Sequence, residues 1–166
     1  MRKRNDLGRH PLPRFQSGVT DDGRRWLKIR VDWDPQRLGG NARKRLGFTH
    51  RGVATRLTRL AREAARSAYI FSGEPVLGVP VQVTVHVYRI RAMDDDNVFT
   101  GLKEVRDVLF THNDRTTGSV TTGITPNDGP EFIPDGVRLV WHTGNEFTKL
   151  DCPPCVLWEV RTIGGA

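Results

Sequence analysis

Alternating apolar and polar positions predict strands in two segments of the chain. The clearest is VPVQVTVHVYRI, in which the odd positions from Val81 to Val87 are apolar and the even positions from Gln82 to Tyr88 are not. A period of two is typical of a strand with one buried face. The segment RRWLKIRVDW alternates in the same way. GVRLVWHT is strand-like and CVLWEVRTI is taken as the terminal strand, so we expect a strand in each of these as well.

Two other segments have the period of an amphipathic helix. The first runs from about residue 50 to 71 and has an apolar stripe on one side and an arginine-rich stripe on another. The apolar stripe consists of Ala54, Leu57, Ala61, Ala64 and Ala68. In the second, which should begin near Asn97, the apolar stripe consists of Val98, Leu102, Val105 and Leu109. Together the segments predict an α/β (α+β) domain with a mixed sheet of about four or five strands and helices mainly on one face.

The length of 166 residues favours one domain, which we place at residues 24–166. Residues 1–23 form a basic leader that we expect to be disordered until DNA is present. No apolar run is long enough to span a membrane and no signal peptide is evident, so we expect a cytoplasmic protein. The lone CPPC, with Cys152 and Cys155, is interpreted as a turn rather than as half of a zinc site.

Charge is distributed unevenly along the chain. The formal net charge is +7, and residues 1–70 contain 18 of the 26 Lys and Arg but only 6 of the 19 Asp and Glu. Such a basic half would attract a polyanion, although a solvated basic surface would have the same composition. The candidate phosphate contacts lie in a predicted glycine-containing loop and on the first helix: Arg37, Arg43, Lys44, Arg45, Arg51, Arg59, Arg62 and Arg66.

Three consecutive aspartates interrupt this basic chain at DDDN. If the alternation of the preceding strand continues, Asp94 and Asp96 lie on one face with Cα atoms roughly 6 to 7 Å apart, which suits a hard cation such as Mg²⁺. Alternatively, the cluster is a helix N-cap, although one cap needs one Asp. Asp128, in the turn GITPNDGPEFI, would complete a magnesium site if the fold brings it near.

The order of several short motifs resembles that of the RusA-type Holliday junction resolvases of phage and prophage origin. The resemblance covers roughly residues 26–141. Its matching pieces are Trp33-Asp34-Pro35, Asn41, Asp94-x-Asp96-Asn97, Lys103-x-x-x-Asp107 and the segment from Gly123-Ile124 to Asp128-Gly129-Pro130-Glu131.

This resemblance implies a homodimeric, Mg²⁺-dependent endonuclease, with Mn²⁺ as a substitute, that makes paired symmetric nicks in four-way DNA junctions during recombination and repair. It also implies a nucleoid-associated location. By position, Asp94, Asp96 and Asp128 would be the catalytic metal ligands and Lys103 the catalytic lysine, supported by Asn97 and Asp107. The chain departs from the family pattern, since Thr100 stands where the lysine is usual, Asn127 replaces an aspartate, and an inserted loop contains Asp114 as a rival third ligand.

Two other functions stay open at the level of sequence. The protein could be a non-catalytic nucleic-acid-binding module in which the aspartates cap a helix and the arginines contact phosphates. It could also be a nuclease for flaps or other branched DNA. Loss of cleavage but not of binding on Asp96→Asn substitution would separate the first alternative from an enzyme.

Overall fold

Five strands form one mixed sheet in the part of the chain that the structure describes. The structure is a computed structural model that describes residues 10–49, 51–72, 77–110 and 123–164. The strands lie in the order β1-β2-β5-β3-β4, and all neighbours are antiparallel except β3 and β4, which are parallel. Their bounds are β1 Phe15–Val19, β2 Arg25–Val31, β3 Val81–Tyr88, β4 Val137–His142 and β5 Cys155–Thr162.

The described helices connect these strands. A short 3-10 helix, Pro35–Leu38, precedes α1. The four α-helices have between one and six turns, and their bounds are α1 Gly40–Thr49, α2 Arg51–Ser72, α3 Asp95–Leu109 and α4 Asn145–Thr148. Within the described ranges, none of these helices combines the length and the apolar character needed to cross a membrane.

The main core lies between the sheet and the pair α2 and α3. The odd-numbered valines of β3 are at most 1% exposed and pack with apolar residues of α3 such as Val98 and Leu102. Burial of each such side chain contributes about 1.5 to 3 kcal/mol. A smaller cluster on the opposite face of the sheet contains Tyr88, Phe147 and Leu157, and α4 packs against the sheet through Phe147. The predicted single α+β domain, with helices mainly on one face, is confirmed.

Strand β1 was not predicted, because it lies in the segment assigned to the leader. It pairs antiparallel with β2 from Phe15 opposite Ile29 to Val19 opposite Arg25. Positive φ at Gly23 (79°) helps to close the turn between the two strands. Residues 15–19 are therefore part of the sheet and residues 20–23 belong to the turn that follows, whereas residues 1–9 lie outside the described residues.

The predicted basic loop is wrong in its structure, because most of it forms α1. Asp34 caps the preceding 3-10 helix by accepting a hydrogen bond from the Gln36 N–H (3.0 Å). The backbone then enters α1 at Gly40. The first predicted helix, by contrast, is confirmed as α2 within one residue at each end.

The predicted common strand face for Asp94 and Asp96 is also wrong. Strand β3 ends at Tyr88, and α3 begins at Asp95, two residues before the predicted start. The chain turns away after Tyr88, where the Arg89 guanidinium pairs with Asp34 (Nε–Oδ1 3.5 Å). Aspartates at a helix start are stabilised by the free backbone N–H groups and the helix dipole, which favours the earlier start.

Candidate acidic site and its basic surroundings

Three exposed carboxylates stand at the start of α3. Asp94 occupies the N-cap position, with φ −62° and ψ 140°, but its side chain accepts no capping hydrogen bond. Asp95 and Asp96 follow in the first turn, and all three residues are exposed. Within the described residues, no side chain donates a hydrogen bond to these carboxylates or forms an ion pair with them. The helix dipole therefore favours their position at the start of α3, but no side-chain cap accounts for three of them.

Asn97 links this acidic start to the start of α1. Its Oδ1 atom accepts a hydrogen bond from the Asn41 backbone N–H (3.3 Å). A Cβ atom added at Gly40 would lie 3.0 Å from the same oxygen, and one added at Gly39 would lie 3.2 Å from the Asn97 carbonyl. The two glycines thus allow the close approach, and Asn97 braces α1 instead of orienting a carboxylate. Gly39 and Asn97 line a cleft of about 260 Å³, together with Arg45 and Met93.

Asp128 does not meet the other two predicted ligands. Its carboxylate pairs with the Arg106 guanidinium (Oδ2–Nε 3.0 Å), and its carbonyl also accepts from Arg106 Nη2 (3.4 Å). Arg106 lies ten residues after Asp96 on α3, which corresponds to about 15 Å along the helix axis. The structure therefore places Asp128 near the far half of α3.

Lys103 and Asp107 lie on the same side of α3 as Asp128. The Lys103 ammonium pairs with the Asp107 carboxylate (Nζ–Oδ2 2.7 Å), and its side chain is 61% exposed. Together with Thr100, these three residues line a cleft of about 390 Å³. The residues of the predicted site therefore lie in two separate places. Asp94 and Asp96 are at the start of α3, whereas Lys103 and Asp107 lie farther along the helix, with Asp128 beside them.

Among the described residues, no three His, Cys, Asp or Glu side chains converge in a way that could hold a metal ion. The predicted site of three aspartates is therefore not assembled. Asp114, the rival third ligand, lies outside the described residues.

The predicted DNA-contacting residues fall into two groups. Arg43 and Arg62 both contact the buried carboxylate of Glu104, at 3.3 and 3.7 Å, and so join α1, α2 and α3. Arg59 pairs with Glu63 (3.7 Å). Of the others, Arg37, Lys44, Arg45 and Arg51 are exposed, and Arg66 is half-buried.

Arg37 also lies over the Trp33 ring, 5.2 Å from its centroid. This contact fixes the arginine at the 3-10 helix before α1. A basic surface therefore does lie beside the acidic start of α3, although Arg43 and Arg62 already have a structural partner.

The two cysteines are close together and are not joined by a disulfide. Their sulfur atoms are 3.9 Å apart, where the chain bends into β5. Burial raises the pKa of both thiols, so the thiolate forms are disfavoured.

A polar cluster that sequence reasoning did not identify lies on the opposite face of the sheet. It joins His86 of β3, His142 of β4 and Glu159 of β5, with Glu146 of α4 at its edge. Burial lowers the pKa of His86, although the hydrogen bond and charge of Glu159 act in the other direction. The even parity of β3 placed His86 on the polar face, but nothing local in the sequence indicated its partners.

Comparison of the chain with protein-family models, with curated proteins and with solved structures gave no match. The resemblance to RusA-type resolvases therefore stays a prediction from the sequence.

Proposed function

We propose that the protein is a Mg²⁺-dependent endonuclease that cuts branched DNA, with four-way junctions as its main substrate. The observation that carries this proposal is the cluster Asp94, Asp95 and Asp96, which is exposed and has no described cationic partner in a chain of net charge +7. Like charges repel unless solvent or a cation screens them, and a divalent cation would do so most effectively.

The donor set at this cluster suits Mg²⁺ with few protein ligands. Magnesium in phosphate-processing sites is commonly held by one or two carboxylates, with water and substrate phosphate completing the shell. One or two of the exposed aspartates at the start of α3 would meet that requirement, whereas Asp128 does not in the described arrangement. A bound Mg²⁺ would polarise the phosphate and acidify a water molecule. Mn²⁺ should substitute because it also prefers oxygen ligands.

The basic side chains near α3 would hold and orient the DNA. Lys44, Arg45 and Arg51 are exposed and belong to α1 and α2, which pack beside α3. Contacts of this type fix the position of a phosphate backbone without reading its bases. Lys103 would contact a phosphate farther along the same helix. A homodimer with two-fold symmetry would present two such surfaces to a symmetric junction, as paired nicking requires.

A cleavage assay tests the proposal. Labelled four-way junction, flap and linear duplex are incubated with wild-type protein in Mg²⁺, in Mn²⁺ and in EDTA, beside Asp96→Asn. Asp21→Asn serves as the matched control, because Asp21 is an exposed aspartate in the turn between β1 and β2. We expect paired nicks in the junction from wild type and Asp21→Asn, and a loss of about a hundredfold or more in Asp96→Asn.

Faster cutting of flaps would reassign the substrate. Cleavage that survives EDTA, or that is equal in Asp96→Asn and wild type, would contradict the proposal. DNA binding by Asp96→Asn should persist, since removing a negative charge does not weaken contact with phosphates.

A second candidate function is favoured by the Asp128–Arg106 ion pair. That pair leaves the start of α3 without the third carboxylate of the predicted site, and a non-catalytic module that binds branched DNA through its basic side chains needs no such site. Such a module would bind junctions with the same affinity in Mg²⁺ and in EDTA, and it would leave all three substrates intact.

A further inference from the structure

A continuous line of side chains crosses three strands on the face of the sheet away from α2 and α3. His86 Nε2 lies 3.1 Å from Glu159 Oε2, and His86 Nδ1 lies 2.9 Å from His142 Nε2. The line ends where His142 Nδ1 meets Glu146 Oε1. Because β3 pairs with both β4 and β5, the sheet itself fixes the order of these groups.

The two carboxylates determine which ring nitrogens carry hydrogen. Glu159 also contacts Lys28 (3.6 Å) and Arg161 (2.7 Å), two cations that keep it ionised. An ionised carboxylate only accepts hydrogen bonds, so His86 must donate from Nε2. In the same way, His142 donates from Nδ1 to the solvent-exposed carboxylate of Glu146.

The lone pairs of the two remaining ring nitrogens, His86 Nδ1 and His142 Nε2, then point toward each other. In neutral imidazoles with these tautomers, His86 Nδ1 and His142 Nε2 are both acceptors, and they are 2.9 Å apart. Two acceptors at that distance repel. A cation between them removes the repulsion, and the cation is either one extra proton or a metal ion.

We propose that His86 and His142 form a binding site for one divalent transition-metal ion of the zinc class. Zinc binds imidazole nitrogen at about 2.0 to 2.1 Å, so nitrogens 2.9 Å apart correspond to an angle of about 90° at the metal. An ideal tetrahedral angle requires about 3.4 Å between the nitrogens, an opening of roughly 0.5 Å. Metal binding therefore requires the two rings to move apart by that amount.

The surroundings of the two rings match those of metal-binding histidines. Such histidines usually donate their other N–H to a carboxylate or a carbonyl, which fixes the tautomer and makes the ligand more basic. Both rings do this here, through Glu159 and Glu146. The Tyr88 ring stacks on His142, with centroids 4.3 Å apart and planes 8° apart, and holds its orientation.

The site differs in chemistry from the acidic start of α3. Imidazole nitrogen suits Zn²⁺, Cu²⁺ or Ni²⁺, whereas Mg²⁺ prefers oxygen. The histidine side chains are 18% and 17% exposed, so water can complete the coordination shell. No third metal-binding side chain converges with them among the described residues, so affinity should be lower than in a closed structural zinc site. The proposal does not depend on the nuclease proposal.

The test is a calorimetric titration of the purified protein with ZnCl₂ slightly above neutral pH. We compare wild type with the double variant His86→Ala/His142→Ala and with Glu146→Gln, and Cys152→Ser controls for zinc bound by the cysteines. Glu146→Gln is expected to keep the fold, since the Glu146 side chain is 59% exposed. Circular dichroism verifies the fold of every variant.

We expect one Zn²⁺ per chain in wild type and in Cys152→Ser, with affinity unaffected by excess Mg²⁺. Glu146→Gln should bind about 10- to 100-fold more weakly, and the double variant more weakly still. The d–d absorption of Co²⁺ should report nitrogen ligands in wild type and in Cys152→Ser but not in the double variant. Equal zinc affinity in wild type and Glu146→Gln would overturn the proposal, as would a wild type that binds no zinc, in which case a shared proton occupies the position between the rings.

Discussion

Replacing Gly101 by alanine should destabilise the protein, although most such changes in a helix stabilise it. Gly101 lies within α3 and faces the 3-10 helix. A Cβ atom there would come within 2.7 Å of the Pro35 carbonyl carbon and 3.0 Å of its Cα atom, and closer still to its carbonyl oxygen. Carbon atoms normally pack about 3.5 to 4.0 Å apart, so α3 and the backbone at Pro35 must separate by roughly 1 Å.

The magnitude follows from three contributions. The added methyl group gains about 0.5 to 1 kcal/mol from helix propensity, and the overlap costs about 1 to 3 kcal/mol. Separation also weakens the hydrogen bond from Trp33 Nε1 to the Gly101 carbonyl (3.1 Å), which contributes about 1 kcal/mol. We therefore expect Gly101→Ala to lower the free energy of unfolding by about 1 to 3 kcal/mol.

Urea unfolding followed by circular dichroism measures this change. Gly52→Ala in α2 is the matched control, because a Cβ atom at Gly52 meets nothing within 4 Å. It should raise stability by a few tenths of a kcal/mol up to about 1 kcal/mol. A stability of Gly101→Ala equal to or above that of wild type would refute the close approach of α3 to Pro35.

Two further predictions concern buried ionisable groups. Glu104→Ala leaves Arg43 and Arg62 without their shared carboxylate and should lower the free energy of unfolding, measured in urea, by about 1 to 3 kcal/mol. The loss is smaller than for a fully buried pair because both arginines are partly exposed. A change within about 0.5 kcal/mol would contradict this. Burial raises the pKa of Tyr88 to about 12 from an ordinary value of 10.0. The unfolded chain therefore loses this proton first, and stability should fall as the pH rises from about 10 to 12. Absorbance titration of a Tyr69→Phe variant, which isolates Tyr88, should give a midpoint near 12, and a midpoint near 10 would show that the phenol is not buried.

The parts of the fold that the sequence predicted are those with one buried and one polar face. Strand β3 and helix α2 pack against the same core, so burial imposes a period of two on one and about 3.6 on the other. Both elements were predicted almost to their ends. The final strand, β5, was also predicted, and it is buried along most of its length.

The elements that were missed depend on partners distant in sequence. Strand β1 has only five residues, and its pairing with β2 gives it order. Helix α1 begins with Gly40 and Asn41, which are weak helix formers, and its start is held by Asn97 from a distant part of the chain. Local propensity could not indicate either contact.

The candidate site shows the same limit. The sequence analysis identified the three aspartates correctly as an unusual cluster. The prediction that they continue a strand was wrong, because β3 ends at Tyr88, six residues before Asp94. The pairing of Asp128 with Arg106 and of His86 with His142 joins residues 22 and 56 positions apart. Contacts of that separation depend on the complete topology, not on spacing.

The most direct test of the central claim is whether the start of α3 binds the metal ion. Paramagnetic Mn²⁺, added at substoichiometric amounts to isotope-labelled protein, broadens the amide signals of residues close to the ion. We predict selective broadening at Asp95, Asp96 and Asn97, its loss in an Asp94→Asn/Asp96→Asn variant, and its reversal by excess Mg²⁺. Broadening that is absent from this segment, or unchanged in the variant, would contradict the account and leave the aspartates as a solvated helix start.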